Sequence, residues 1–292
     1  MNFEVKERFQ SQSSHFSGLL YFDEPLSKHT YYRIGGPAEI FAVPRTLADL
    51  DWLSELIEKT GIRLFVMGQG SNLLVSDAGF KGLVVRVHRL NLEITPVASI
   101  RGLSVFPVRT GGSVALSTFL RRAAQEGWGG LEFLSGIPGS VGGAIAMNAG
   151  TYLGETQSRL EKVEIYSFIN QNVKPKISIF MGEQLQFQYR KNLFFPPAAL
   201  VWSAEWRITA ENPLKVKTTV DEILGRRKAT QPIDYPSCGS VFKNPKDSGL
   251  LAWQVIDRLG LRGYRIGDAQ FAEKHSNFIL NLGGLRHLMS LH

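Results

Sequence analysis

Strands and helices alternate through the first half of this chain and mix in the second, which predicts an α/β or α+β fold. Three observations carry that expectation. Apolar residues recur at helical spacing between Leu47 and Ile57. Short runs of β-branched and aliphatic residues, such as Leu83–Val87, stand between turn signals. Glycine, 29 of 292 residues, is gathered in clusters, so backbone geometry is in demand at particular places.

The elements follow in order. Residues 1–20 show weak periodicity and are expected to form an N-terminal arm. Thr46–Gly61 reads as a helix, because Thr46 can cap it, Leu47, Leu50, Leu53 and Ile57 share a face, and Gly61 can close it. Ile62–Met67 reads as a buried strand that runs directly into Gly68-Gln69-Gly70-Ser71-Asn72. Leu83–Val87 and Leu103–Val108 are further strands, and Ser113–Glu126 is a second capped helix, ended by Gly127. Val163–Phe168, Ile177–Phe180 and Leu200–Ile208 read as strands. Pro213–Thr230 is a helix with Val216, Val220 and Ile223–Leu224 on one face; Leu250–Leu259 is helical and Asn277–Asn281 a last strand. Turn chemistry places boundaries near Leu83 and at Asn212-Pro213.

Composition excludes several classes. With 43% hydrophobic and 20% charged residues the chain can bury a core and is not disordered. Lys plus Arg is 33 and Asp plus Glu is 26, so the net charge is 33 − 26 = +7, a mild excess that favours anionic ligands without implying nucleic acid. Cys238 is the one cysteine, which excludes intramolecular disulfides and thiolate metal clusters. The six histidines show no metal-ligand spacing, and no HExxH, paired CxxC, EF-hand or GxSxG pattern occurs, so no metal is expected. The N-terminus carries Glu4, Lys6, Glu7 and Arg8 and does not read as a signal peptide, and no stretch reaches the ~18 apolar residues of a membrane span. A cytoplasmic protein without membrane insertion is the expectation.

Four segments carry chemistry. Gly68–Asn72 could cradle a phosphate with backbone N–H groups and the Ser71 and Asn72 side chains, or simply turn between strands; it is neither a Walker A loop nor a GxGxxG fingerprint. Gly129–Gly150 holds Gly136, Gly139, Gly142, Gly143 and Gly150 among Ser135, Pro138, Ser140 and Asn148. A small-residue strand packed against a neighbour would explain Gly142–Ala146, but two such loops suit a long ligand with a pyrophosphate in its middle, such as a dinucleotide. In Tyr235–Pro245, Ser240 follows Gly239 in a stiff loop bracketed by prolines, and is a nucleophile, a proton donor or a turn residue; Cys238 is a reactive or an inert thiol. Arg190, after Tyr189, can hold a carboxylate bidentately or sit solvated at a strand end.

Together these segments resemble the UDP-N-acetylenolpyruvoylglucosamine reductase family, in its shorter subtype. The matching stretches are Thr30–Glu39, Met67–Leu74, Leu131–Glu155, Gln188–Arg190, Arg226–Pro245 and Gly260–Asn281, in the family's order. The resemblance implies a two-part FAD-binding domain of the PCMH/vanillyl-alcohol-oxidase-like type, residues 21–82 and 83–212, and a smaller α+β substrate domain, residues 213–292. It implies FAD as cofactor, NADPH as co-substrate and a UDP-linked sugar as partner, in a monomer that acts in peptidoglycan precursor synthesis, with no nucleic acid and no metal. Gly68, Gly70, Ser71, Asn72 and Leu73, with Gly136, Ile137, Gly139, Ser140 and Gly143, would bind FAD. Ser240 would be the proton donor, Arg190 would neutralise the substrate carboxylate, and Tyr189, Arg227, Lys243 and Asn244 would line the substrate pocket. Two departures stand out. Asn192 replaces the family's usual Ser, and the stretch Asn281–His292 offers no counterpart to the family's C-terminal catalytic Glu. The alternative therefore stays open that the chain is a truncated, catalytically impaired FAD- or nucleotide-binding relative.

Overall fold

A computed structural model describes residues 3–97, 102–169, 176–246 and 249–283. It is a mixed α/β structure in two compact units. The larger takes Met1–Phe22, Ile40–Gln69 and Lys81–Leu224; the smaller takes Asp23–Glu39, Gly70–Phe80 and Gly225–His292.

The first sheet has strand order β1-β2-β4-β3, built from β1 (Leu19–Pro25), β2 (Pro37–Val43), β3 (Leu64–Met67) and β4 (Phe80–Arg86). β3 and β4 are parallel, with Leu64 opposite Leu83 and Met67 opposite Arg86. Helix α2 (Leu47–Thr60) has the expected ends: Thr46 accepts from Asp49 N–H at 3.1 Å in a full capping box, and Gly61 closes the helix in the left-handed region. Its buried Leu50, Leu53, Leu56 and Ile57 pack in one core with Ile40, Leu83 and Val85.

Helix α1 (Phe3–Ser11) was not foreseen in the N-terminal arm. One aromatic anchor accounts for it: Phe9 is fully buried, edge-on to Trp52 at 5.7 Å. With only Val5 packed beside it one turn earlier, the apolar stripe is too short to show in the sequence. Strands β1 and β2 were also not foreseen. In β2 four consecutive residues, Ile40–Val43, are buried, so the alternation that marks a half-exposed strand is missing.

The second sheet runs β11-β10-β14-β6-β5, from β5 (Ile94–Pro96), β6 (Val105–Gly111), β10 (Leu160–Ser167), β11 (Ile177–Met181) and β14 (Ala199–Ala210), with the short β7 (Trp128–Gly129) paired to β14. The β14–β6 register sets Trp206 opposite Val108 and Ile208 opposite Phe106. That face is closed by α3 (Leu116–Glu126) and the short α4 (Val141–Ala146), with Trp206 tilted against Phe119 at 5.5 Å. Helix α3 starts three residues later than expected, because the Ser113 hydroxyl donates to Val87 O instead of capping a helix. The Gly142–Ala146 stretch is helical, not a strand. Ser140 caps it, and a Cβ on Gly142 would lie 3.0 Å from Gly112 O, so the missing side chain lets the helix lie on the backbone below.

The opposite face of this sheet carries a charge network. Arg109 donates from Nη1 to Glu164 Oε1 at 2.8 Å, Ser203 Oγ donates to Glu164 Oε2 at 2.8 Å, and Lys162 Nζ lies 2.9 Å from Glu205. The hydrogen bond from Arg109 is the main cause that lowers the Glu164 carboxyl from its ordinary 4.5 to about 2. A depressed folded value means stabilisation that is present above the unfolded value and lost as pH falls through the folded one. Glu164→Gln should therefore destabilise the protein at pH 7 by on the order of 1 kcal/mol, solvent screening reducing the ~1.4 kcal/mol per unit that the shift alone would give. The difference between variant and wild type should shrink from pH ~4.5 towards ~2. Denaturant melts across that range check it; a difference constant with pH would assign the loss to packing.

The smaller unit holds α6 (Ala252–Arg258) and a sheet of β15 (Arg265–Ile266), β16 (Ala269–Phe271) and β17 (Ile279–Asn281), around a small core of Ala272, Phe278 and Leu280. Helix α5 (Pro213–Thr230) is as expected and passes from one unit into the other at Leu224–Gly225. Two pairings of two-residue strands complete the sheets: the hairpin β8 (Gly150–Thr151) with β9 (Gly154–Glu155), and β12 (Phe187–Gln188) with β13 (Lys191–Asn192). Of the departure read over Asn281–His292, residues 284–292 lie outside the described residues. No helix among the described residues is long and apolar enough to cross a membrane.

Candidate functional site

The first glycine loop leaves β3 at Gly68. A Cβ there would sit 2.9 Å from Ser140 Oγ, so the two segments singled out from the sequence meet in the larger unit, glycine against serine. Ser140 is buried and accepts from Gly143 N–H at 3.3 Å. The amides of Val141 and Gly142 are taken up by Val114 O and Gly112 O, both at 2.8 Å. In the turn from Gly136 to Gly142 the amides of Gly136, Gly139 and Ser140 are without a partner among the described residues. Beside them the Ser135 hydroxyl is buried and orphaned. Gly136 has φ +73 and Gly139 φ +125, values that keep side chains off the turn. Three bare amides, a buried hydroxyl and a Cβ-free approach between loops are the donor set that a phosphate group requires.

The rest of the first loop belongs to the smaller unit. Gly70 has φ +70, and a Cβ on it would lie 2.1 Å from His29 O, so no other residue fits there. Its carbonyl accepts from Tyr31 N–H at 3.0 Å. Leu73 O accepts from Cys238 Sγ at 3.0 Å, which ties this loop to the segment around Ser240. Ser71 is half-buried and Asn72 exposed.

Ser240 follows Gly239 at φ +76 and bridges to Phe278. The next residues are clamped: Val241 N–H donates to Asn277 O at 2.9 Å, Phe242 N–H donates to Asn277 Oδ1, and Asn277 Nδ2 donates back to Phe242 O. Ser240 itself is exposed, and its hydroxyl has no hydrogen-bond partner among the described residues. A turn serine would be bonded to its own loop backbone; this one is held by its neighbours and presented. Burial pushes the Cys238 thiol up to about 11, so it is an inert donor and not a nucleophile. Burial likewise raises the pKa of Tyr32, whose carbonyl accepts from Asn281 Nδ2 at 2.8 Å.

Arg190 lies in the larger unit at φ +56, unusual for a residue with a side chain. Nη2 donates to Gly150 O at 2.8 Å, and Nη1 donates to Asn148 O and to Glu155 Oε1, both at 3.3 Å. Its guanidinium also packs 5.0 Å from the Tyr189 ring centroid. Asn148, fully buried at φ +42, fixes the same hairpin by donating to Glu155 Oε2 and Gln188 O. Asn192, the residue that departs from the family pattern, donates to Ala146 O and accepts from Phe195 N–H, and so ties β13 to the end of α4. Sequence reading missed Asn148 and Glu155 as the holders of Arg190. A positive φ is invisible in sequence except at glycine.

Arg227 is half-buried on α5, and burial lowers its pKa; no carboxylate pairs with it among the described residues. An arginine without a counter-ion is suited to an anionic ligand. Lys243 and Asn244 are exposed, and Asn244 Oδ1 accepts the Ala252 N–H at the start of α6.

Residues 38–167 match the profile of an FAD binding domain, and residues 231–288 that of the UDP-N-acetylenolpyruvoylglucosamine reductase C-terminal domain. Proteins named UDP-N-acetylenolpyruvoylglucosamine reductase are similar over most of the chain. The one from Pelobacter propionicus is 37% identical, covering 91% of this chain and 85% of its own. That from Caldanaerobacter subterraneus subsp. tengcongensis is 39% identical, covering 91% and 83%. The crystal structure of this reductase from Thermus caldophilus superposes with a TM-score of 0.72 at 33% identity, covering 92% of this chain and 90% of that one. Cholesterol oxidase from B. sterolicum, 11% identical with a TM-score of 0.50, covers 66% of this chain and 38% of its own, and shares the fold alone.

Proposed function

The chain belongs to the UDP-N-acetylenolpyruvoylglucosamine reductase family, with a PCMH-type FAD-binding part and the family's C-terminal domain, and on that premise we propose that it reduces the enolpyruvyl ether of a UDP-linked amino sugar with NADPH. The observation that carries the reading is the meeting of the two glycine loops at Gly68 and Ser140, where the bare amides and the Ser135 hydroxyl fit a dinucleotide pyrophosphate. Gly68, Gly70, Ser71, Asn72 and Leu73 would hold FAD from one loop, and Gly136, Ile137, Gly139, Ser140 and Gly143 from the other. When bound, FAD supplies the hydride relay between NADPH and the enolpyruvyl double bond.

The chain's own residues have two tasks. Hydride addition to the double bond leaves negative charge shared between the neighbouring carbon and its carboxylate. Arg190 faces that carboxylate with a guanidinium fixed by three acceptors, a preorganised cation that needs no rearrangement as charge builds. Ser240 Oγ hands a proton to the carbon. An alcohol is a weak acid, so it can act only on a strongly basic centre held close to it. Arg227, Tyr189, Lys243 and Asn244 would hold the remote nucleotide and its phosphates, whose binding energy positions the small reacting group. The same reading keeps the enzyme in the cytoplasm as a monomer without a nucleic-acid partner, serving peptidoglycan precursor synthesis and through it cell shape and division. Similarity to proteins named as this reductase, over most of this chain and of theirs, favours this reading over an impaired nucleotide binder.

The purified protein should be yellow. Under anaerobic conditions NADPH should bleach the flavin absorbance, and the enolpyruvyl sugar should restore it. A flavin-free protein that cannot be reconstituted would overturn the reading; bleaching without recovery would leave a flavin binder that has lost the second half-reaction.

A further inference from the structure

We infer that a cleft in the larger unit, lined in part by Gly130, Glu132 and Phe133 at the start of the second glycine segment, is a binding site for a small organic anion with an apolar body, distinct from the place where Gly68 meets Ser140. The cleft is open to solvent and has a volume of about 650 Å³, within the range of small-molecule sites. Val105 and Leu153 form an apolar wall, 48% and 47% exposed. Two cations stand at the cleft, Arg159 and Arg207. Arg159 Nη1 donates to Thr209 Oγ1 at 3.3 Å, and Arg207 Nη2 donates to Ser158 O at 3.1 Å. Neither has a carboxylate partner among the described residues, so most of their ten N–H donors remain available.

The seat of Arg159 is built. Its Cζ lies 2.6 Å from where a Cβ of Gly130 would be, and Gly130 has φ +96, so the guanidinium lies over a backbone that no other residue could offer. The one carboxylate of the cleft, Glu132, is turned onto Gly130 N–H at 2.8 Å. Two positive charges against one negative, beside an exposed apolar wall, select a carboxylate or phosphate monoester carrying a ring or short chain. Leu153 belongs to the turn of the hairpin whose Gly150 and Glu155 hold Arg190. An occupant would therefore be felt at Arg190, a consequence that rests on the reductase reading, whereas the site itself does not.

The probe is phenyl phosphate, titrated calorimetrically into the FAD-loaded enzyme with UDP present, with benzoate and inorganic phosphate as separate arms. Saturable binding of phenyl phosphate or benzoate is expected, at least tenfold tighter than inorganic phosphate, and the arm that binds tighter identifies the headgroup. Arg159→Met with Arg207→Met should weaken it tenfold or more at unchanged flavin content. Leu153→Glu, a change at an exposed position, should do the same if the double variant does not fold. Absence of binding, displacement by UDP, exclusion by bound FAD, or indifference to both variants overturns the site. A changed KM for the enolpyruvyl substrate at saturating probe reads the coupling to Arg190; its absence counts against the coupling alone.

Discussion

Ser240→Ala leaves bleaching of the flavin by NADPH at the wild-type rate and slows its recovery on addition of enolpyruvyl substrate by about 10²–10⁴-fold, the usual weight of a positioned general acid. The asymmetry follows from where the proton is needed. Hydride entry from NADPH requires no acid, whereas the carbon left after hydride addition to the substrate has to be protonated. Ser240 suits that task because its loop is held without using the hydroxyl: Asn277 clamps Val241 and Phe242, and Cys238 anchors the preceding turn to Leu73. Removing one oxygen from an exposed side chain disturbs none of these bonds, so the unfolding free energy should stay within about 0.5 kcal/mol of wild type. Stopped-flow absorbance of the two half-reactions separates the outcomes. Equal slowing of both would make Ser240 a support for the loop and not an acid.

How much was legible in the sequence depended on what each residue had to do locally. Helix α2 was readable from end to end, because Thr46, Asp49 and Gly61 act on backbone groups within a turn of themselves. The glycine loops were readable as loops. That they meet at Gly68 and Ser140 was not, since 72 residues separate those positions and only tertiary packing decides their contact. Strand β2 was hidden by burial of Ile40–Val43, which erases alternation, and α1 by having one anchor, Phe9. Arg190 was singled out beside Tyr189, and its role was given by the family resemblance. The residues that hold it, Asn148, Gly150 and Glu155, precede it by 35–42 positions and reach it through a hairpin that no periodicity announces. Ser113 shows the opposite error: its side chain fits a local cap, but a distant carbonyl, Val87 O, takes the hydroxyl.

Arg190→Lys keeps the positive charge and should still lower kcat by about 10²–10³-fold, the loss seen when one preorganised donor to a developing anion is removed. The reason is geometry. Gly150 O, Asn148 O and Glu155 Oε1 grip two nitrogens of one rigid plane, and the Tyr189 ring supports its face. A lysine ammonium is a compact point charge on a flexible stem and cannot satisfy three acceptors while facing a carboxylate. The charge would remain in the site but spread over several positions, and a preorganised contact would become one that must be assembled during the reaction. Substrate affinity should change little, because the nucleotide supplies most of the binding, so the loss should fall on kcat more than on KM. Flavin reduction by NADPH should be unaffected. Glu155→Gln provides the complementary measurement: it leaves the hydrogen-bond frame nearly intact and removes the negative charge 3.3 Å from Arg190, so its kcat should stay within about tenfold of wild type. If Arg190→Lys matched wild type, a diffuse positive field would suffice and the fixed guanidinium would have no part in the rate.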